Sequence, residues 1–266
     1  MVGALVFGPV VVPGGLAVLA AVLWKQGAFA SSETGGVRTE HRSIPRDGTR
    51  RTDLRVRMGA GVLSLQGGAA GLLDADFVSN QPELEPEFVY RANDSILEAS
   101  ITQPSGHLVM PTPHMRYEWH LRCADNVLAT VDLESGAGTT DIDLSTVPVQ
   151  QLRVRTGAGH GRAIILASKL ERFDLQTGAG RLDLEIRGSP TAPAHGSVHS
   201  GVGALQIHIP RTTQTRIHID KGIGGVNVRG FMQNGRNYIN YAPGATPALD
   251  IDIQVGVGEV TLDTVD

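Results

Sequence analysis

The chain has 266 residues, of which 41% are hydrophobic and 19% are charged, a composition that is typical of a globular protein and excludes a disordered or collagen-like one. Its formal net charge of −4 excludes the strong basic field that nucleic-acid binding requires. Its single cysteine excludes an internal disulfide and a multi-cysteine zinc site.

An uncharged apolar run occupies residues 2–24. As a helix it would extend about 34 Å, which is enough to cross a hydrocarbon core of roughly 30 Å. Trp24 and Lys25 suit the membrane interface at its end. We therefore predict that residues 1–26 form one transmembrane helix, which would make this a single-pass protein of the cell membrane, and that residues 27–50 form a linker.

A cleaved signal peptide is the alternative for the same segment, because Ala28-Phe29-Ala30 has the small-residue pattern of a cleavage site. No Lys or Arg precedes the apolar run, which argues against this alternative. Because the basic residues all follow the run, the positive-inside rule favours a cytoplasmic domain, whereas the cleavage-like site favours the outside. The side of the membrane therefore stays open.

A Gly-x-Gly triplet with Ala, Val or Ile at its centre recurs seven times. The steps from the second triplet to the sixth are 21, 21, 23 and 21 residues, and the last step is 34. A period of this length predicts a stack of repeated units. The predicted corner glycines are Gly59, Gly61, Gly136, Gly138, Gly157, Gly159, Gly178, Gly180, Gly201, Gly203, Gly222, Gly224, Gly256 and Gly258.

Apolar residues alternate with polar ones on both sides of each triplet, and the phase changes across it. Leu175 precedes Gly178 in one phase, and Leu182 and Leu184 follow in the other. Period 2 indicates strands with one buried face, so the second glycine must absorb one residue as a bulge or corner. Each unit is then strand, corner, strand, and we expect the central residue of the triplet to point inward.

The resulting fold prediction is all-β: a right-handed, solenoid-like (β-helix) stack of short strands with Gly-x-Gly corners, behind the membrane helix. A sheet meander or a sandwich is the alternative fold. Residues 62–135 interrupt the period, so we divide the folded part into an N-terminal region, 51–105, and the strand repeats, 106–266. Residues 259–265 have no following cap, so a homo-oligomer could form through an open C-terminal end.

Several blocks near the start of the folded part resemble the bacterial toast-rack domain family. They are Asp53-Leu54-Arg55-Val56 leading into Gly59-Ala60-Gly61-Val62-Leu63, then Gly67-Gly68-Ala69 with Leu72-Leu73, and Glu85-Pro86 ahead of Phe88-Val89-Tyr90. The resemblance covers roughly residues 40–266. Related Gly-repeat domains occur in adhesin-like proteins and at the C-termini of Lia-type cell-envelope stress regulators. The resemblance implies a stack of short strands without established catalytic residues.

Equivalent positions of successive repeats should form columns on the outside of the stack. This places Asp141, Arg162, Asp183 and Glu185 on one outer face, and we predict that face, together with Tyr238 and Tyr241 of the inserted segment 234–247, as a partner-binding surface. Paired carboxylates beside an arginine would also suit sugar-acid chemistry, although a solvated strand face has the same pattern.

Cofactor and metal sites are not predicted. The densest histidines, His195, His199, His208 and His218, have no carboxylate or cysteine at a recognisable ligand spacing. A phosphate site on the glycines is excluded because a strand, not a helix, follows each triplet.

The predicted function is non-catalytic: a membrane-tethered cell-envelope module, adhesin-like or a scaffold, that presents a β-solenoid face to a protein or polymer partner. One alternative is a cytoplasmic-side regulatory domain of a cell-envelope stress response. The chain has one apolar segment instead of the several that precede the domain in Lia-type regulators, which argues against a direct regulatory role. The other alternative is a β-helix glycan-processing enzyme.

Overall fold

A computed structural model describes residues 36–46, 48–81, 84–93, 95–104, 115–241 and 246–266. The predicted membrane segment at residues 2–24 and the cleavage-like site lie outside these residues, as does the predicted boundary between residues 105 and 106. Within the described ranges, no helix has both the length and the apolar character that a membrane crossing needs.

The described part of the chain is all-β, which confirms the predicted class. A short 3-10 turn lies at Ala167–Lys169. The strands are β1 (Arg38–Ile44), β2 (Arg51–Gln66), β3 (Leu73–Ser79), β4 (Glu87–Ala92), β5 (Ile96–Thr102), β6 (Tyr117–Cys123), β7 (Leu128–Leu144), β8 (Val149–Leu166), β9 (Arg172–Arg187), β10 (Ala194–Pro210), β11 (Thr215–Ile223), β12 (Val226–Arg229), β13 (Met232–Asn234), β14 (Asn237–Ile239) and β15 (Leu249–Val265).

Each of the six long strands β2, β7, β8, β9, β10 and β15 contains one Gly-x-Gly triplet near its middle and runs parallel to its neighbours. These strands have 16 to 18 residues, so the prediction of short strands is wrong for them. The reason is that the ladder continues through the triplets, where Gly138 pairs with Gly159 and Gly159 with Gly180. Only the unit of the sixth triplet, Gly222-Ile223-Gly224, is split, into β11 and β12.

Every long strand bends at its triplet, as the phase change predicts. The second glycine has a positive φ in all seven triplets, from 121° at Gly138 to 155° at Gly258. Only residues 145–148 link β7 to β8, and four residues cannot span a straight strand of 17 residues, about 56 Å long. The strand therefore folds back at the triplet into a first arm and a second arm, and the inward side chains of both arms share one core.

The central residues of the triplets do not point inward, so this part of the prediction is wrong. Ala158 and Ala179 are exposed, and so are Val202, Val257 and Ile223. The positive φ that follows turns the chain at this point, which leaves the central residue on the outside of the bend between the two arms.

The strands form one open sheet that the bends divide into two arms. Along the first arms the order is β4-β5-β2-β7-β8-β9-β10-β15-β11-β14-β13, and along the second arms it is β1-β3-β6-β2-β7-β8-β9-β10-β15-β12. We call β1 with β3–β6 the N-terminal cap and β11–β14 the tip. Both predicted regions, 51–105 and 106–266, thus contribute to a continuous sheet through the pairing of β2 with β7.

The C-terminal strand is not at the end of the stack. β15 lies between β10 and the β11–β12 unit and pairs with both in parallel register. The expectation that residues 259–265 leave an open strand is therefore wrong, because Val260 pairs with Leu205 on one side and Val226 on the other. The free strand edge at this end of the sheet belongs to the tip.

The N-terminal cap closes the opposite end of the core with aromatic side chains. Trp119 is fully buried and meets Phe77 and Tyr117 edge to face, with ring centroids 5.6 and 5.7 Å apart. The Tyr117 hydroxyl donates a hydrogen bond of 2.8 Å to the Leu84 carbonyl. The guanidinium of Arg42 lies 5.8 Å from the centroid of Phe77, at a distance that suits a cation–π contact.

Candidate functional site

The structure brings the four predicted charged residues of the partner face onto the outside of adjacent second arms. Asp141 is in register with Arg162, and Arg162 with Asp183. Arg162 Nη1 lies 3.4 Å from Asp141 Oδ1, and Glu185 is two positions along β9 from Asp183. The common register of the glycines produces this alignment, and the binding role of the face stays a prediction.

Arginine side chains on the same strand donate hydrogen bonds to the carboxylates of this face. Arg181 Nε donates to Asp183 at 2.8 Å, and Arg187 Nε donates to Glu185 at 2.6 Å. Burial acts to raise the pKa of Asp143, two positions beyond Asp141 on β7, but hydrogen bonds from Ser145 and the nearby Arg187 and Arg162 outweigh it and lower that pKa. On this face each of the carboxyl groups of Asp141, Asp183 and Glu185 has an arginine side chain beside it.

The two predicted tyrosines lie elsewhere. Tyr238 is on β14, opposite Ile217 of the first arm of β11, and packs against the hydrophobic core. Tyr238 is half-buried because pairing of β14 with β11 turns its ring towards the core, and its role in binding stays a prediction. Tyr241 follows β14 at the tip and is half-buried. Neither ring joins the charged second-arm face.

A second polar surface covers the outside of the first arms, and we did not predict it. Arg55, Asp132, Arg153 and Asp174 are in register on four successive strands, so their charges alternate along the stack. The distance from Arg55 Nε to Asp132 Oδ2 is 3.8 Å, and that from Arg153 Nε to Asp174 Oδ2 is 3.5 Å. Alignment of the chain on its glycines reveals this alternation.

An open groove of about 1160 Å³ runs along the stack beside the first glycines of the triplets. Its floor has no side chains because it consists of these glycines. Apart from Gly59, each of them must be glycine, since a Cβ atom would collide with the backbone carbonyl of the first glycine in the neighbouring strand. Gln103 and Pro104 of the N-terminal cap lie at one end. The residues two positions before the glycines line it: Arg57, Glu134, Arg155, Gln176, His199, Gln254 and Asp220.

The histidines separate into two groups. His195, His199 and His218 lie on the first-arm side near the tip, where His195 is in register with Asp250 and His218 with Asp252. His208 lies on the second arm between Glu185 and Asp263. Among the described residues, no three His, Cys, Asp or Glu side chains come together as a metal site.

Comparison with known proteins gives one family and several solved structures. Residues 33–171 match the family model described as "N-terminal domain of toast_rack, DUF2154". No curated protein matches the chain.

Solved structures are similar to this chain at low sequence identity, and the first of the two below shares its fold. A crystal structure from Clostridium sporogenes, named "putative cell adhesion protein", is 23% identical with a TM-score of 0.65, and the match covers 86% of this chain and all of that one. A "putative adhesin" from Bacteroides fragilis is 13% identical with a TM-score of 0.32, over 87% of this chain and 98% of that one. Since the family model matches more than half of the residues, the chain belongs to the toast-rack family.

Proposed function

We propose that this protein is a non-catalytic, membrane-tethered module of the cell envelope that presents the outside of its strand stack to a protein or polymer partner, as an adhesin or scaffold. The observation that carries the proposal is the in-register alignment of Asp141, Arg162 and Asp183 on an uncovered outer face. Strands about 4.8 Å apart repeat these groups regularly, which suits an extended partner with repeated polar groups. We infer that the coils wind right-handed, as crossovers between parallel strands do.

The family and the shared architecture support an adhesin-like role. The structure from Clostridium sporogenes that matches along its whole length is named for cell adhesion. The carboxylates of the second-arm face are paired with Arg162, Arg181 and Arg187. Such pairing favours a binding surface over a glycan-processing centre, because general acid catalysis needs a carboxyl group that keeps its proton.

A tether at residues 2–24 would determine which end of the stack faces away from the membrane. Residue 36 precedes β1, which is the first of the ten strands along the second arms, and β12 is the last. At about 4.8 Å per strand, the tip lies about 43 Å from β1. The tether would therefore hold the N-terminal cap near the membrane and project the tip and the outer faces away from it.

The first experiment is protease digestion of intact cells that express the full chain, with the N-terminal residue of the mature protein determined alongside. Digestion from outside supports the envelope module. A new N-terminus at Ser31 would show that residues 1–30 are a cleaved signal peptide and not a membrane anchor. Protection in intact cells, with digestion only after lysis, would favour the cytoplasmic stress-response alternative.

The second experiment locates the binding face. The full chain in detergent is tested for sedimentation with purified peptidoglycan and for cross-linking to surface proteins of intact cells. We expect the wild type to bind peptidoglycan or a surface protein, and the double variant Asp141→Lys/Asp183→Lys to lose that binding. The matched control, Asp132→Lys/Asp174→Lys, changes the same charges on the first arms and should keep it; equal losses would contradict the assignment of the face.

A further inference from the structure

The tip ends in an unpaired strand edge. β14 pairs with β11 only at residues 216–218, so that residues 219–223 of β11 and all of β12 have no strand on their outer side within the described part of the chain. A strand edge of this kind has free backbone donors and acceptors and can pair with a strand of another chain.

The hydrophobic core is also open at this edge. In β15, one strand inward, Ile253, Val260 and Leu262 are all 0% exposed. Their in-register partners Ile219, Val226 and Val228 at the tip occupy the same columns but are only half-buried. The core therefore lacks one covering layer at the tip, whereas at the opposite end the N-terminal cap supplies that layer.

An exposed apolar side chain marks the bend at the tip. Ile223 is 74% exposed, and its register partner Val257 is 44% exposed. The neighbouring bends carry Val202 and then alanines, so the apolar side chains are largest at the free edge. Exposed apolar groups beside an unpaired edge indicate a protein interface.

The N-terminal end of the stack has no bent strand edge like that of the tip. The bend of β2 is covered there by the side chain of Gln103, whose Oε1 accepts a hydrogen bond of 2.7 Å from the Gly59 amide. β5 and β6 pair with the remainder of β2. At that end the outer edges belong to β4 on the first arms and to β1 on the second arms, which lie two and three strands beyond β2, so no single bent strand there matches the tip. A contact between two identical tips is closed by a two-fold axis.

We propose that two copies of the protein pair antiparallel through residues 219–229 of their tips. A rotation of 180° about the line that bisects the two arms places the first arm of one copy over the second arm of the other and reverses the strand direction. With the axis between Gly224 and Gly225, residues whose numbers add to 449 face each other. The two cores then become continuous.

This register is complementary in charge and in shape. Asp220 of one copy lies opposite Arg229 of the partner subunit, twice by symmetry, and both side chains are exposed on the outer faces. Ile223 lies opposite Val226 of the partner subunit, which covers the apolar bend. Lys221 lies on the inward column of β11, in register with the buried Val255. Its Nζ donates to the Gly224 carbonyl at 2.6 Å, and this contact must break for the strands to pair.

Sedimentation equilibrium of the full chain in density-matched detergent tests the proposal. We expect a concentration-dependent dimer for the wild type. Asp220→Arg and Arg229→Asp should each weaken it at least tenfold by placing like charges opposite each other, and the double variant should restore it. Glu87→Arg, an equal charge change on the N-terminal cap, should leave the dimer unchanged.

A wild type that remains monomeric at every concentration would overturn the proposal. So would a dimer that neither single charge change weakens, because such a dimer would form elsewhere, for example through residues 2–24. Cross-linking gives an independent readout: oxidation of a mixture of Ile223→Cys and Val226→Cys chains should yield a mixed dimer, and its absence would contradict the register. The native Cys123 is buried and does not compete.

Discussion

The carbonyl oxygen of Gly159 lies where a Cβ atom of Gly180 would have to be. From Gly61 to Gly224, the carbonyl oxygen of each second glycine lies at the Cβ position of the second glycine in the next strand of the stack. Neighbouring strands therefore approach each other closely at every bend. Each of these glycines also has a positive φ, which disfavours other residues even where space exists. One column of glycines therefore sets both the bend and the register.

Gly180→Ala should destabilise the protein by more than about 3 kcal/mol, since it combines a backbone collision with a disfavoured φ of 130°. Urea unfolding followed by circular dichroism measures the change. Gly225→Ala is the matched control, because its Cβ atom would meet nothing within 4 Å. Equal stability of the two variants would show that the glycine column does not determine the fold.

Trp119→Ala should cost about 3–5 kcal/mol, because it leaves a cavity where the N-terminal cap closes the core. Trp119→Phe keeps an aromatic ring against Phe77 and should cost clearly less. Thermal unfolding of both variants provides the comparison. Similar losses would mean that the volume of the ring is not what stabilises the cap.

Cys123 should be unreactive in the folded protein. Its side chain is 1% exposed, and burial, together with the nearby Asp125, raises the pKa of the thiol to about 12. At pH 8, a disulfide reagent should label the native chain at least about 100-fold more slowly than the chain in guanidinium. Because this is the single cysteine, rapid native labelling would directly contradict the packing of β6 against β3.

Asp76 should contribute to the loss of stability in acid. Burial acts to raise the pKa of Asp76, but hydrogen bonds from His41, at 2.7 Å, and Arg122, at 2.8 Å, outweigh it and lower that pKa. A lowered pKa stabilises the folded state above the unfolded value of about 3.9, and this stabilisation is lost as the pH falls through the folded-state pKa.

The variant Asp76→Asn should therefore be less stable than the wild type by about 1 kcal/mol at pH 7, and the difference should shrink as the pH falls from 5 towards 3. Urea unfolding at several pH values measures it. A difference that stays constant with pH would mean that the charge of Asp76 plays no part.

The repeat pattern predicted much of the fold because period 2 and the glycine spacing are both local signals. Equal spacing of Asp141, Arg162 and Asp183 from their glycines was enough to place them in one row. The same alignment of the repeats also places Arg55, Asp132, Arg153 and Asp174 in one row on the first arms. This alternation of charge becomes visible only when the outward-facing positions before the glycines are compared as well as those after them.

The order of the last strands could not be predicted in this way. β15 and β11 carry the same apolar pattern, with Ile251 and Ile253 in one and Ile217 and Ile219 in the other, so either fits beside β10. In the structure β15 takes the place beside β10, and the hairpin of β13 and β14, which lies between β12 and β15 in the chain, pairs with the outer side of β11. The same hairpin turns Tyr238 inward, which its polar surroundings in the sequence did not indicate.

The insertion of β15 between β10 and β11 has a consequence for synthesis. Each unit from β7 to β10 can pair with its native neighbour as soon as it leaves the ribosome, whereas β11 and β12 reach their native neighbour only when residues 249–265 emerge. A nascent chain that stops short of this segment exposes two strand edges and the apolar face of the tip to other chains. The arrival of β15 therefore covers the strand edges that distinguish a truncated chain from a finished one.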